Sequence, residues 1–184
     1  EDRFVVGSFQ KDGIGWGRGL EPKLIKGPDI FCDVIERFAR DARVFVVLTG
    51  PARGYIKERL RKAGIPFTHD YLRGEDELAE RYRALDAYLI TARAEGGPKA
   101  LLEAMATGIP VISTAVGMAK DIIRDGENGY LAPIDDREGL LKRLVTAREE
   151  DTSAITARAA EIAEHYDWRQ IAARYYDEMY ASLL

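Results

Sequence analysis

Two glutamates eight positions apart, Glu95 and Glu103, flank the start of a short apolar helix in AEGGPKALLEAMATGIPVIST, residues 94–114. Glu103 sits among leucines and alanines, where an ionised carboxylate is costly unless it is paired or hydrogen-bonded. It can be a structural acid held by Lys99 one helical turn earlier, a pair worth about 0.2–0.5 kcal/mol when exposed. Equally, it can accept hydrogen bonds from a diol such as the hydroxyls of a ribose. Glu95 precedes the helix, so it points into a crevice rather than sharing a helical face with Glu103. It can complement the helix dipole, accept hydrogen bonds from sugar hydroxyls, or stabilise positive charge developing at a sugar carbon. Spacing alone leaves these readings open. Between the acids, Gly96 and Gly97 let a backbone approach a ligand closely, and Pro98 suits a helix start.

A second loop, SFQKDGIGWGRGLEPKLIKGPD, carries Gly13, Gly15, Gly17 and Gly19. A dinucleotide fingerprint would need its third glycine where Arg18 or Leu20 stands, and the run does not open the next helix. Lys26-Gly27-Pro28, in contrast, stands at a helix N-terminus, where backbone N–H groups and the dipole favour an anion and a lysine adds a full charge. Lys11, Arg18 and Lys23 are the other cations of this loop.

These residues must be positioned by a frame. Strand-like apolar runs fall at 4–8, 44–49, 66–72, 87–91, 110–114 and 129–133. Helical periodicity fills the gaps: a stripe of Ile30, Phe31, Val34, Ile35 and Phe38, then residues 52–63, 75–85, 98–107 and 117–124. Alternation of this kind implies right-handed βαβ units. The expected fold is an α/β, Rossmann-like three-layer domain with a parallel six-stranded sheet in the order 3-2-1-4-5-6. In that order the first and fourth strands are neighbours, and their carboxyl ends form the crevice where such sheets bind ligands. Both unusual loops therefore converge on one place. The tail from about 136 to 184 is helical. Its last segment places Trp168, Ile171, Ala172, Tyr175, Tyr176, Met179, Tyr180 and Leu183 on one face, which we read as packing on its own domain, with docking on a missing partner domain as an alternative.

Composition sets outer bounds. The 184 residues suffice for a single domain covering 1–184, and the net charge of −4 argues against a general nucleic-acid binder. The single cysteine, Cys32, reads as a small core residue, and a cytoplasmic location is expected. No apolar run approaches the roughly 20 residues that span a bilayer. With His69 and His165 as the only histidines, and no acidic cluster, no metal site is expected; His69 reads as a structural loop residue. The opening EDRFVVGSF, without an initiator methionine, suggests a segment of a longer protein.

The block E-G-G-P-x-x-L-L-E-A-M-A-x-G-x-P-V-I closely resembles the C-terminal, donor-binding half of retaining glycosyltransferases of family 4, which have the GT-B fold. Val6-Gly7, Lys26-Gly27, Leu48-Thr49-Gly50 and the turn from Gly126 to Gly129 are similar too. The resemblance implies that Glu95 contacts the donor sugar and Glu103 the nucleotide ribose, while backbone at Gly96 and Gly97 approaches the sugar and diphosphate. It implies that Lys26 offsets the charge of the leaving diphosphate, and that the base lies near Tyr71–Leu72. Gly7 is included among the donor-binding positions as the glycine of the first strand. Many members follow that glycine with an arginine; here Ser8 stands there, and Arg18 or Lys11 is expected to reach in instead. Asp121 stands where a glutamate is common. The implied activity moves a sugar from a UDP-, GDP- or ADP-sugar to an acceptor hydroxyl with retention, with no cofactor, and an N-terminal acceptor domain is expected to be absent from this chain. The alternatives are a noncatalytic nucleotide-sugar-binding module and another GT-B enzyme such as a nucleotide-sugar epimerase.

Overall fold

The computed structural model describes residues 2–181. Strands β1 (Phe4–Phe9), β2 (Val44–Thr49), β3 (Phe67–Asp70), β4 (Ala87–Ile90), β5 (Val111–Thr114) and β6 (Tyr130–Ala132) are all parallel. They form one sheet in the order β3-β2-β1-β4-β5-β6, as the alternation of the sequence predicts. Each expected strand is present: β2 has the expected bounds, β1 gains Phe9, and the other four are shorter by one to three residues because apolar runs extend past the last ladder hydrogen bond.

Helices cover both faces. On one side, α1 (Pro28–Phe38), α2 (Gly54–Lys62) and α6 (Arg137–Glu149) bury Ile30, Phe31, Val34, Ile35, Phe38, Ile56, Leu60, Leu140 and Leu144 against Val6, Val46 and Leu48. On the other, α3 (Glu75–Arg83), α4 (Lys99–Ala106), α5 (Gly117–Ile122) and α7 (Ser153–Glu164) pack on Val47, Tyr88 and Val111 through Tyr82, Leu101, Met105, Ala119 and Ala163. Neighbouring strand residues such as Val46 and Val47 serve opposite cores, as the pleat requires. Cys32 is buried in the first core, and burial pushes its thiol pKa up. Gly7 pairs with Val47 and Tyr88, and a Cβ there would overlap Leu85, so its smallness serves packing.

The tail departs from expectation. α8 (Trp168–Tyr175) and the π-helical turn Tyr176–Tyr180 bury no residue; Trp168 is 77 % exposed, and Tyr175, Tyr176, Met179 and Tyr180 are 51–55 % exposed. The helix does not pack on its own domain, because both faces of the sheet are already covered by the helices before it. Leu183 lies outside the described residues. Among those described, no helix is long and apolar enough to cross a membrane.

Candidate functional site

The chain leaves β1 through a long loop, makes a 3₁₀ turn at Leu24–Lys26, and enters α1 through Gly27 in the left-handed region (φ 65°). A side chain at Gly27 would overlap the Thr91 carbonyl, so only glycine lets this turn press against the end of β4. Polar contacts then join the two loops. Thr91 Oγ1 donates to the Gly27 carbonyl at 2.8 Å, and the Arg93 N–H donates to the Ile25 carbonyl at 2.8 Å. The Arg93 guanidinium grips Asp29 in the first turn of α1 with two bonds of 2.8 and 2.6 Å. It also donates to the Leu24 carbonyl at 2.6 Å and to Asp135 at 2.8 Å. The Arg93 hydrogen bonds hold the Asp29 carboxyl below its ordinary pKa and raise that of Arg93. Arg93 is thus a strut of the crevice, although in sequence it looks like an unremarkable loop residue.

What the strut brings together is the pair expected to meet. Lys26 Nζ donates to the Glu95 carboxylate, with about a quarter of each side chain exposed. Lys26, Glu95, Gly97 and Pro98 line one cavity of about 190 Å³ with Phe9, Gln10 and Tyr88. The space beside Gly96 is open, and its carbonyl accepts from Met118 N–H at 2.8 Å where α5 begins. Pro98 sits one residue before α4 in extended conformation rather than as its first helical residue.

Glu103 is not sealed in the core. Its side chain is 26 % exposed, and Tyr82 Oη donates to it at 3.0 Å while Lys99 lies 3.3 Å away. Burial pushes the Tyr82 phenol pKa strongly upward, so the phenol remains the donor. Tyr82, Tyr88 and Phe9 form an aromatic cluster, with the Phe9 N–H bonded to Tyr88 Oη at 2.9 Å. Glu103 is thereby oriented from the end of β1. It does not line the Lys26–Glu95 cavity; it lines a groove of about 570 Å³ between α4 and α7, and Lys99 borders both. Among the described residues, no three histidine, cysteine, aspartate or glutamate side chains gather as a metal-ligand set.

The structure does not bring Arg18 or Lys11 to Lys26. Arg18 lines a separate cavity over α2, and the Lys11 ammonium lies 3.7 Å from the centre of the Trp16 ring. An arginine that sequence reasoning missed lies beneath the loop instead. Arg53, fully buried, donates to the carbonyls of Ser8, Gln10 and Thr49 at 2.7–2.8 Å and to Ser8 Oγ at 3.0 Å. The buried Asp12 carboxylate stands 3.0 Å from Arg53 Nε, an ion pair without hydrogen-bond alignment. Burial outweighs this attraction: the Asp12 pKa is raised to about 6 and that of Arg53 is lowered, so removal from water disfavours both charges.

A pH test follows from Asp12. Its folded pKa lies above the ordinary value of 3.8, so the associated stability is fully present below pH 3.8 and is lost as pH rises through about 6. The unaltered chain should lose up to about 3 kcal/mol of stability relative to Asp12→Asn on going from acid to neutral pH. Urea titrations across that window check it; a pH-independent difference would contradict the assignment.

Comparison with known proteins bears on this geometry. A sequence model described as glycosyl transferases group 1 matches residues 14–150. Sulfoquinovosyl transferase SQD2 of Arabidopsis thaliana is 30% identical over 151 residues, covering 78% of this chain and 29% of that protein. A phosphatidyl-myo-inositol mannosyltransferase of Mycolicibacterium smegmatis is 30% identical over 165 residues, 86% of this chain and 42% of its own length. The chain therefore spans under half of the length of these relatives. Among solved structures, Anabaena Alr3699/HepE in complex with UDP-glucose superposes with a TM-score of 0.80 at 23% identity, over 100% of this chain and 50% of that one. The C-terminal domain of the group 1 protein LpcC from Francisella tularensis gives 0.70 at 22% identity, covering 88% of this chain and 84% of that domain. With the sheet order, the paired loops and a family match over most of its length, this chain belongs to the glycosyl transferases group 1 family and has the fold of a C-terminal GT-B domain.

Proposed function

We propose that this domain is the donor-binding half of a retaining glycosyltransferase that moves a sugar from a nucleoside diphosphate to an acceptor hydroxyl. The observation that carries the reading is the meeting of Lys26 and Glu95 at the carboxyl ends of β1 and β4, beside the N-terminus of α1. A diphosphate arriving there competes for the Lys26 ammonium and releases the Glu95 carboxylate toward the sugar. Bond cleavage leaves negative charge on the diphosphate and positive character at the anomeric carbon. A preorganised ammonium and a freed carboxylate match those two charges and lower the barrier. Glu103, oriented by Tyr82, takes the ribose hydroxyls. The open backbone at Gly96 and Gly97 faces the sugar and diphosphate. A cavity of about 470 Å³ lined by Thr49, Gly50, Leu72 and Gly74 is suited to the base. Gly7 contributes through packing, and with Arg18 elsewhere, Lys26 carries the diphosphate without a partner arginine.

Acceptor binding belongs, on this reading, to a further domain preceding this one, and the exposed aromatic face of α8 is available to dock on it. UDP-glucose in the Anabaena structure supports a nucleotide-sugar donor for this fold. The isolated chain is therefore expected to bind nucleotide and to leave acceptors unmodified.

Titration with UDP, GDP and ADP, each beside its nucleoside, tests the assignment. A ligand at 100 times its Kd adds about 2.7 kcal/mol of stability. Lys26→Met should weaken the diphosphate about tenfold or more while sparing the nucleoside, since the charge-assisted contact lies on phosphate. Glu103→Ala should weaken both. The reading fails if none of the three nucleotides binds, or if Lys26→Met weakens nucleoside and diphosphate alike.

A further inference from the structure

A second cavity, of about 380 Å³, opens where the long loop after β1 arches over α2. Besides the buried Arg53, which is paired with Asp12, three cations border it: Lys57 and Arg61, one turn apart on α2, and Arg18 from the loop. None of the three has a carboxylate within ion-pair distance among the described residues, although Arg59 on the same helix is paired with Asp33 at 2.9 Å and Glu36 at 2.8 Å. Glu58 is the one carboxylate on the rim, so with Arg53 set against Asp12 three further positive charges face one negative charge.

The Lys57 ammonium is held in place. His69 Nε2 donates to the Gly50 carbonyl at 2.7 Å, which leaves Nδ1 to accept from Lys57 Nζ at 3.2 Å. Burial, with the Lys57 and Arg53 charges nearby, lowers the imidazole pKa and favours this neutral, accepting form. The loop is equally fixed: the N–H groups of Gly54 and Tyr55 donate to the carbonyls of Arg18 and Gly19 at 2.8 Å. Side chains at Gly13 or Gly19 would overlap Ala52 backbone, so the loop lies directly on the start of α2. Tyr71, 69 % exposed, stands at the mouth of the cavity.

We propose that this cavity is a binding site for a phosphoryl group, separate from the Lys26–Glu95 crevice, with Tyr71 standing between this site and the cavity assigned to the base. Guanidinium forks and a fixed ammonium around one space match the several acceptor oxygens of a phosphate. The group belongs either to a free phosphorylated molecule or to a phospholipid headgroup.

Inorganic phosphate is the first probe, titrated at constant ionic strength while backbone amide resonances are followed. Saturable shifts are expected at Gly54, Tyr55 and Lys57. Affinity read at these three resonances should weaken about tenfold or more in Lys57→Met/Arg61→Gln and measurably in Arg18→Gln, a change at an exposed loop position. Non-saturable shifts overturn the proposal, as does unchanged affinity in both Arg18→Gln and the double variant. Sedimentation with phosphatidylcholine vesicles, with and without phosphatidic acid, then assigns the source. Pelleting that needs phosphatidic acid and is lost in the double variant identifies a lipid headgroup. A chain that binds phosphate but stays in the supernatant takes a free phosphorylated molecule.

Discussion

Replacement of Arg53 by methionine is expected to destabilise this domain by about 3–5 kcal/mol, the range for removing one partner of a buried ion pair. Methionine fills much of the same volume, so the loss is chemical rather than a cavity effect. Three carbonyls, those of Ser8, Gln10 and Thr49, lose their guanidinium donor together, and Asp12 loses its counter-charge. A buried acceptor left unmatched costs about 1–3 kcal/mol, and relaxation of the loop recovers part of the sum. A domain of this kind holds only about 5–15 kcal/mol in all. The urea midpoint should therefore fall sharply. Arg53→Lys should recover only part of the loss, because a single ammonium cannot span the fork of acceptors at the ends of β1 and β2. A midpoint within experimental scatter of the unaltered chain would show that these carbonyls find other donors.

Gly27→Ala should be nearly as damaging, and at the crevice itself. The position needs a positive φ of 65°, which costs a residue with a Cβ about 1–2 kcal/mol. The added methyl also meets the Thr91 carbonyl, a backbone atom with no rotamer to change, and overpacking of this kind adds about 1–3 kcal/mol. Relief comes only by parting the 3₁₀ turn from the end of β4, which separates Lys26 from Glu95. Lower stability in urea should thus accompany weaker nucleotide binding. Full nucleotide affinity in the folded variant would mean that the Lys26–Glu95 spacing does not govern binding.

Much of this was legible beforehand. The stripe Ile30, Phe31, Val34, Ile35 and Phe38 reads as a helix and is buried as one. The alternation of apolar runs and helical periods leads to the observed sheet order, and that order makes neighbours of the loops bearing Lys26 and Glu95. The roles of Arg53, Arg93 and Tyr82 were not legible. Arg53 lies in GPARGY, where an arginine ordinarily reads as solvated, and only the folded loop above it makes it a buried hub. Arg93 meets Asp29 across 64 positions of chain, and no local spacing signals that pairing. Arg18 or Lys11 was expected at the diphosphate in place of the family arginine missing at Ser8, yet the loop carries Arg18 over α2 and Lys11 lies on Trp16.

The final helix marks the same boundary from the other side. Its aromatic stripe is a property of periodicity, but whether such a face is covered depends on which surfaces remain free once the sheet is clothed, and none does. The sequence by itself determined the elements, their alternation, the parallel sheet and the two loops that bear charge at its carboxyl edge. These follow from side-chain period and chain connectivity, which act over a few residues at a time. Only the tertiary structure decided which charges are buried, which arginine ties the strand ends, how Glu103 is oriented and where Arg18 points. Those outcomes depend on desolvation and on hydrogen bonds between residues distant in the chain, and both come into being only when the layers close.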